Sequence, residues 1–201
     1  ALARAEGLRI IALDPAHTVH VRRLLARRAD LKQIDLHIVP TNDAWVRAHG
    51  AIFVTADSAA EPLLALAYEY NAWGGKYPPY DLDRLVPGQM AQIRGVPSFA
   101  PGIVLEGGSI DGNGAGALLT TEQCLLNPNR NPKLGRAEIE QLLRDSLGVA
   151  EIVWLGEGIA GAGTDGHVDD LTRFVSHDAV APVVEPNRAD THPAPRAANR
   201  R

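Results

Sequence analysis

Residues 164–169, Thr-Asp-Gly-His-Val-Asp, set one imidazole, His167, between two carboxylates, Asp165 and Asp169, each two positions away. In an extended segment side chains at i and i+2 share a face, so this spacing predicts that all three converge. Such a cluster can hold the imidazole as a general acid and base, or bind a divalent cation. The plain alternative is a solvated polar loop. Glu106-Gly107-Gly108 closes an apolar run with a carboxylate followed by two residues able to take positive φ. Backbone and ligand can then come close beside the acid, although a simple hairpin turn accounts for the same three residues. Asn42-Asp43-Ala44-Trp45 offers an aromatic face near a carboxylate, a pattern that can receive a cation. Taken alone it reads more readily as a core tryptophan with solvated neighbours. The one cysteine, Cys124, precedes Leu125-Leu126 with no histidine nearby in sequence, the pattern of a buried inert thiol.

The elements that must position these groups follow from periodicity. Residues 8–13 (LRIIAL) are a strand, and Asp14-Pro15 is an N-cap and first-turn pair for a helix to about residue 28. Apolar residues 34–39, a polar loop over 41–50 and a short strand at 51–54 follow. Residues 63–68 have helical propensity, then aromatic, Gly and Pro residues take over, so 63–96 reads as one long shaped loop of functional character. IVLEGGSI (103–110) and ALLT (117–120), across a Gly-rich turn, predict a hairpin. Ile139, Leu142, Leu143 and Leu147 make an amphipathic helical stripe with Gly148 at its C′ position. A strand at 151–155, the Gly-rich loop holding His167, and strands near 172–175 and 179–184 complete the pattern. Helix, strand, polar loop, strand occurs over 15–54 and again over 136–175, which suggests a pseudo-symmetric fold with corresponding loops converging on one centre.

Composition bounds the function classes. The chain has 201 residues, 45% hydrophobic and 22% charged, enough for a real core, and a formal net charge of −4. Lys and Arg are scattered, so no basic stripe points to nucleic acid. One cysteine leaves no internal disulfide framework and no Cys-rich zinc site. No apolar run is as long as a membrane span, and Ala1-Leu2-Ala3-Arg4 lacks the features of a signal peptide. A cytoplasmic protein is the expectation.

Three longer strings, NAWGGKYPPYDLD (71–83), PGIVLEGGSIDGNGAGALLTTEQCLLNPNRNP (101–132) and TDGHVDDLTRFV (164–175), resemble the agmatine deiminase and bacterial peptidyl-arginine deiminase family, and looser similarity runs from about residue 8 to 190. The resemblance implies the α/β pentein fold, a five-bladed pseudo-symmetric propeller of ββαβ units, here partial over 1–186; residues 187–201, rich in Pro, Ala, Asn and Arg without periodicity, read as a disordered tail. It implies hydrolysis of agmatine to N-carbamoylputrescine and ammonia, a step of putrescine formation, through a cysteine thiolate that attacks the guanidinium carbon. Carried over by position, His167 is the general acid and base, Glu106 a second acid, and Asp169 a guanidinium-binding carboxylate. Trp45 and Trp73 line the substrate pocket with Asp165 among the contacts. No metal or organic cofactor is implied.

The chain also departs from that pattern. The family's Trp-x-Arg-Asp-x-Gly-Pro reads Trp45-Val46-Arg47-Ala48-His49-Gly50-Ala51 here, so Ala48 replaces a substrate-binding aspartate. The family's nucleophilic cysteine lies in a later segment than residue 201, and Cys124 does not match it. The expectation is therefore an agmatine deiminase-like chain that does not turn over by itself, with exposed edges that favour homo-oligomer formation or self-association. Its partner is a small cationic guanidino compound, with no nucleic acid and no membrane. The alternatives are a non-catalytic pentein remnant that binds guanidinium ligands, peptidyl-arginine deiminase activity, or a small metal-binding protein using Asp165, His167 and Asp169.

Overall fold

The structure, a computed structural model, describes residues 6–27, 30–56 and 62–184. The expected tail at 187–201 and the first four residues lie outside that range. The first unit is β1 (Leu8–Ala12), α1 (Pro15–Leu25) and β2 (Ile34–Ile38), with the two strands parallel. Asp14 caps α1 as its sequence predicts, its Oδ1 accepting from the His17 amide at 2.6 Å with Pro15 at the first turn.

A polar connection containing the single turn α2 (Val46–His49) leads to β3 (Ile52–Thr55), which pairs antiparallel with β4 (Leu63–Leu66). The chain then runs through the one-turn segment α3 (Ala72–Gly75) and α4 (Val86–Arg94) to β5 (Ser98–Phe99), parallel to β4. The next unit repeats this plan. β6 (Ile110–Gly112) and β7 (Ala117–Thr121) are antiparallel, the short α5 (Glu122–Leu125) and α6 (Arg136–Leu147) follow, and β8 (Glu151–Leu155) returns parallel to β7. β9 (Thr172–Phe174) and β10 (Val180–Pro182) form a last hairpin. Two complete ββαβ units thus stand in series, and the helix, strand, loop, strand order of the sequence reading is present in both predicted places. The architecture is mixed α/β. Among the described residues the strands form four separate small sheets, none of them closed into a ring.

Three expectations need correction. Residues 63–66 are a central strand, not helix: Ala65 and Leu66 are buried between two pairing partners, and tertiary pairing overrides the helical propensity of Leu-Leu-Ala-Leu. The region 63–96 is not one loop, because Val86–Arg94 form α4, with Pro87 in its first turn where a proline costs little. Residues 103–106 are not a hairpin strand either. Both backbone groups of Val104 are taken by the Asn131 side-chain amide at 2.9 Å, leaving one bridge to Glu69 before a 3-10 turn at Gly107–Ser109.

The main core joins β4, the 103–105 segment, β7, α5 and α6 through Leu66, Ile103, Leu105, Leu118, Leu125, Ile139 and Leu143. Ile139 and Leu143 are the buried members of the predicted stripe on α6, and Gly148 ends that helix at φ 68° as expected. Tyr68 enters the same core with its hydroxyl hydrogen-bonded to Ser146 at 2.6 Å.

Candidate active site

The polar residues of interest sit in the connections between units. β2 to β3 carries Trp45, Ala48 and His49; β5 to β6 carries Glu106; β8 to β9 carries His167 and Asp169. These three connections meet. A Cβ on Gly107 would fall inside contact distance of the Arg47 carbonyl, and one on Gly108 would lie 2.5 Å from His167 Nδ1 and 2.8 Å from Asp169 Oδ2. The glycines after Glu106 therefore serve close approach, one packing on each neighbouring connection. Neither has positive φ, which corrects that part of the sequence reading.

Glu106 is fully buried. Its Oε1 accepts from Arg130 Nε at 2.8 Å, while Oε2 has no hydrogen-bond partner and faces His167 Nε2, also unpartnered, at 3.9 Å. On the other side of the ring, Nδ1 lies 3.7 Å from Asp169 Oδ1. Burial pushes the Asp169 carboxyl up, against the pull of His167. A buried carboxylate with one free oxygen and a second carboxylate thus flank the imidazole, one beside each ring nitrogen. Such an arrangement can pair with a planar cation and move protons beside it.

Asp165 departs from the expected common face. The segment is not extended: Asp165 has φ 59° and Gly166 φ 87°, and Val168–Asp170 form a 3-10 turn. Asp165 points away from His167, and its oxygens accept from Lys76 Nζ, Asn129 Nδ2 (2.8 Å) and Arg130 Nη1 (3.0 Å). Burial works against its charge, but these donors outweigh it and hold the carboxyl down to about 2. Both oxygens are occupied by the protein's own donors, so Asp165 does not stand ready for a ligand in this arrangement.

Trp45 and Trp73 do come together. With Asp43, Tyr77, Gly163 and Thr164 they line a cleft of about 200 Å³. Trp45 is 62% exposed, which rules out the core reading of that motif, whereas Trp73 is buried in the Ala48, Tyr70, Ala72 cluster, with Tyr70 edge-on at 5.5 Å. Ala48 puts its methyl group in that cluster.

Cys124 lies nearer the constellation than its sequence context suggested. Its sulfur, a Glu106 oxygen and a His167 nitrogen fall within 4.8 Å of one another. Burial pushes the thiol up to about 12, the neighbouring Glu106 charge adds to that, and Arg130 opposes it, so the sulfur is protonated at neutral pH. This trio differs from the Asp165, His167, Asp169 set considered for a metal. Its thiol is protonated and its Glu106 is paired to the buried Arg130 guanidinium, so two of its three members are not free ligands.

Three contributors escaped the sequence reading. Arg130 is a lone charge in an Asn- and Pro-rich turn, and that isolation was the available signal. Lys76 gave none. His49 is buried, edge-on to Tyr70 at 5.5 Å and 3.9 Å from Asp83, and neither ring nitrogen has a hydrogen-bond partner. Burial lowers its pKa more than Asp83 raises it.

All 201 residues match the family model described as Porphyromonas-type peptidyl-arginine deiminase, and the chain belongs to that family. It is 44% identical over 180 residues to the agmatine deiminase of Pseudomonas syringae pv. tomato, a match covering 87% of this chain and 47% of that protein. With the Pseudomonas fluorescens SBW25 agmatine deiminase it shares 42% identity over 153 residues, 74% of this chain and 41% of that one. Agmatine deiminase of Enterococcus faecalis superposes with a TM-score of 0.80 at 36% identity, over 90% of this chain and 49% of that one. A C. jejuni agmatine deiminase variant with substrate bound also gives 0.80, at 31% identity, over 94% and 54%. The chain spans about half the length of the curated relatives it matches. Among the described residues no helix is long and apolar enough to cross a membrane.

Proposed function

We propose that this chain carries the guanidinium-recognition and proton-transfer part of an agmatine deiminase-like site, which converts agmatine and water to N-carbamoylputrescine and ammonia. The observation that supports it best is the pair of buried, unpartnered atoms, Glu106 Oε2 and His167 Nε2, facing each other across a gap with Asp169 behind the ring. A guanidinium remains protonated at working pH, with a pKa above about 12, so a site that buries it must supply carboxylates. Glu106 and Asp169 fill that role, and a bidentate contact fixes the plane of the cation for attack. In the reaction expected of the family a cysteine thiolate bonds to the guanidinium carbon; there His167 would protonate the ammonia that leaves as the C–N bond breaks, then take a proton from the water that cleaves the C–S bond and frees the thiolate. Trp45 and Trp73 wall the entry for the aliphatic stem. The strands belong to the five-bladed propeller of this family, with the site on its axis.

The nucleophile is not Cys124, whose protonated thiol is buried and unactivated. On this reading residues 1–201 bind the substrate, and Cys124 supplies no thiolate to turn it over. A second reading, a non-catalytic binder of guanidinium ligands, is favoured by Ala48, which removes one expected carboxylate. Titration of agmatine into the chain, with ammonia release followed in the wild type and in Cys124→Ala, tests both. Binding that is lost in Glu106→Gln, without ammonia, is expected. Absence of binding would sink the proposal, and release that disappears in Cys124→Ala would make that residue the nucleophile after all. Preference for a peptidyl-arginine amide over agmatine would move the substrate class to the other branch of the family.

A further inference from the structure

Asp165 ties three loops together. The Trp73 loop reaches it through Lys76, whose Nζ also donates to the Gly163 carbonyl at 3.0 Å. The 127–131 turn reaches it through Asn129 and Arg130. The Arg130 side chain is completely buried, and its donors are distributed over four acceptors: Glu106 Oε1 at 2.8 Å, Asn129 Oδ1 at 2.6 Å, Asp165 Oδ2 at 3.0 Å and the Thr164 carbonyl at 2.9 Å. Burial disfavours the charge on Arg130, and the Glu106 and Asp165 carboxylates more than restore it.

From these contacts we propose that Lys76, Asp165 and Arg130 form a positioning relay, which fastens the Trp73 wall of the cleft to the Glu106 carboxylate. Arg130 engages only Oε1 of Glu106, so it sets the rotamer that leaves Oε2 free toward His167. A rigid fork can bridge Glu106 and Asp165 at a fixed angle, which a lysine at 130 could not do. Asp165 turns its carboxylate to that fork by adopting a left-handed backbone, a conformation disfavoured for a residue with a Cβ. Displacing the Lys76 end then loosens the Trp73 loop and the 161–166 loop together, and through Arg130 relaxes Glu106. The bearing of the relay on catalysis rests on the function proposed above; the mechanical coupling does not.

Lys76 is partly exposed, with a side-chain accessibility of 34%, so Lys76→Met should fold. Hydrogen exchange followed by mass spectrometry reads the coupling without any ligand. Faster exchange is expected in both 71–77 and 161–166 for Lys76→Met and Asp165→Asn, with 139–147 unchanged and Lys76→Arg restoring protection. Agmatine affinity should fall about tenfold in the first two variants and recover in Lys76→Arg. Loosening confined to 71–77, or none, overturns the relay. Loosening of both segments with unaltered agmatine affinity overturns the positioning of Glu106. If the wild type binds no agmatine, the proposed function fails and the exchange result alone decides the coupling.

Discussion

His167 Nε2 and Glu106 Oε2 stand 3.9 Å apart, both buried and neither with a hydrogen-bond partner among the described residues. Buried polar atoms are nearly always partnered, so two orphans facing one another support the ligand site proposed above.

Burial raises the Asp169 carboxyl against the pull of His167, and in the proposed complex a guanidinium would add positive charge beside it. The cation favours the ionised form, so binding releases a proton wherever free Asp169 is protonated, and affinity must rise with pH through that range. Calorimetric titration of agmatine in buffers of different ionisation enthalpy should show proton release toward acid pH that vanishes in Asp169→Asn. Proton uptake would contradict the assignment.

Gly108→Ala places a methyl group 2.5 Å from His167 Nδ1. The imidazole must move, and overpacking of this kind costs about 1–3 kcal/mol. We expect a lower melting temperature and at least tenfold weaker agmatine binding, with Gly88→Ala, where an added Cβ meets nothing, as the control. Unchanged affinity would separate His167 from the ligand.

Ala48→Asp restores the carboxylate expected from the family pattern, but among Tyr70, Ala72 and Trp73. The bare variant should be less stable, because an unpaired charge enters an apolar cluster. Agmatine should then raise its melting temperature more than it raises that of the wild type. Leaving a buried cation one partner short costs about 3–5 kcal/mol, so the affinity gain is on the order of a hundredfold or more. Equal ligand shifts in both proteins would show that position 48 does not reach the substrate.

Cys124 is inaccessible and protonated. Alkylation by iodoacetamide at pH 8 should proceed only as fast as the chain opens, and accelerate in step with unfolding in urea. Rapid labelling of folded protein would identify an activated thiol.

Much of the fold is legible in the residues themselves. Asp14-Pro15, the Ile139 to Leu147 stripe and Gly148 act locally, and the structure agrees with each. The misread segments are those decided by distant partners. Leu63–Leu66 is a strand because β3 and β5 flank it, and Val104 is held by Asn131, which a local window does not see. The site behaves likewise: Glu106, His167 and Asp169 meet as expected, whereas Asp165 turns toward Lys76 and Arg130 through a backbone conformation that spacing does not reveal.

The turn at 72–75 carries a consequence of its own. Ala72, Trp73, Gly74 and Gly75 all have positive φ, at 54°, 55°, 88° and 78°, so one full turn winds left-handed and two of its members bear a Cβ. Each such residue costs about 1–2 kcal/mol relative to the right-handed helix. Glycine in place of either would relax the backbone, yet at 73 it would remove the indole from the cleft. Variants chosen from a library for heat resistance and variants chosen for ligand capture should therefore diverge at position 73, with robustness and recognition drawing the same codon in opposite directions.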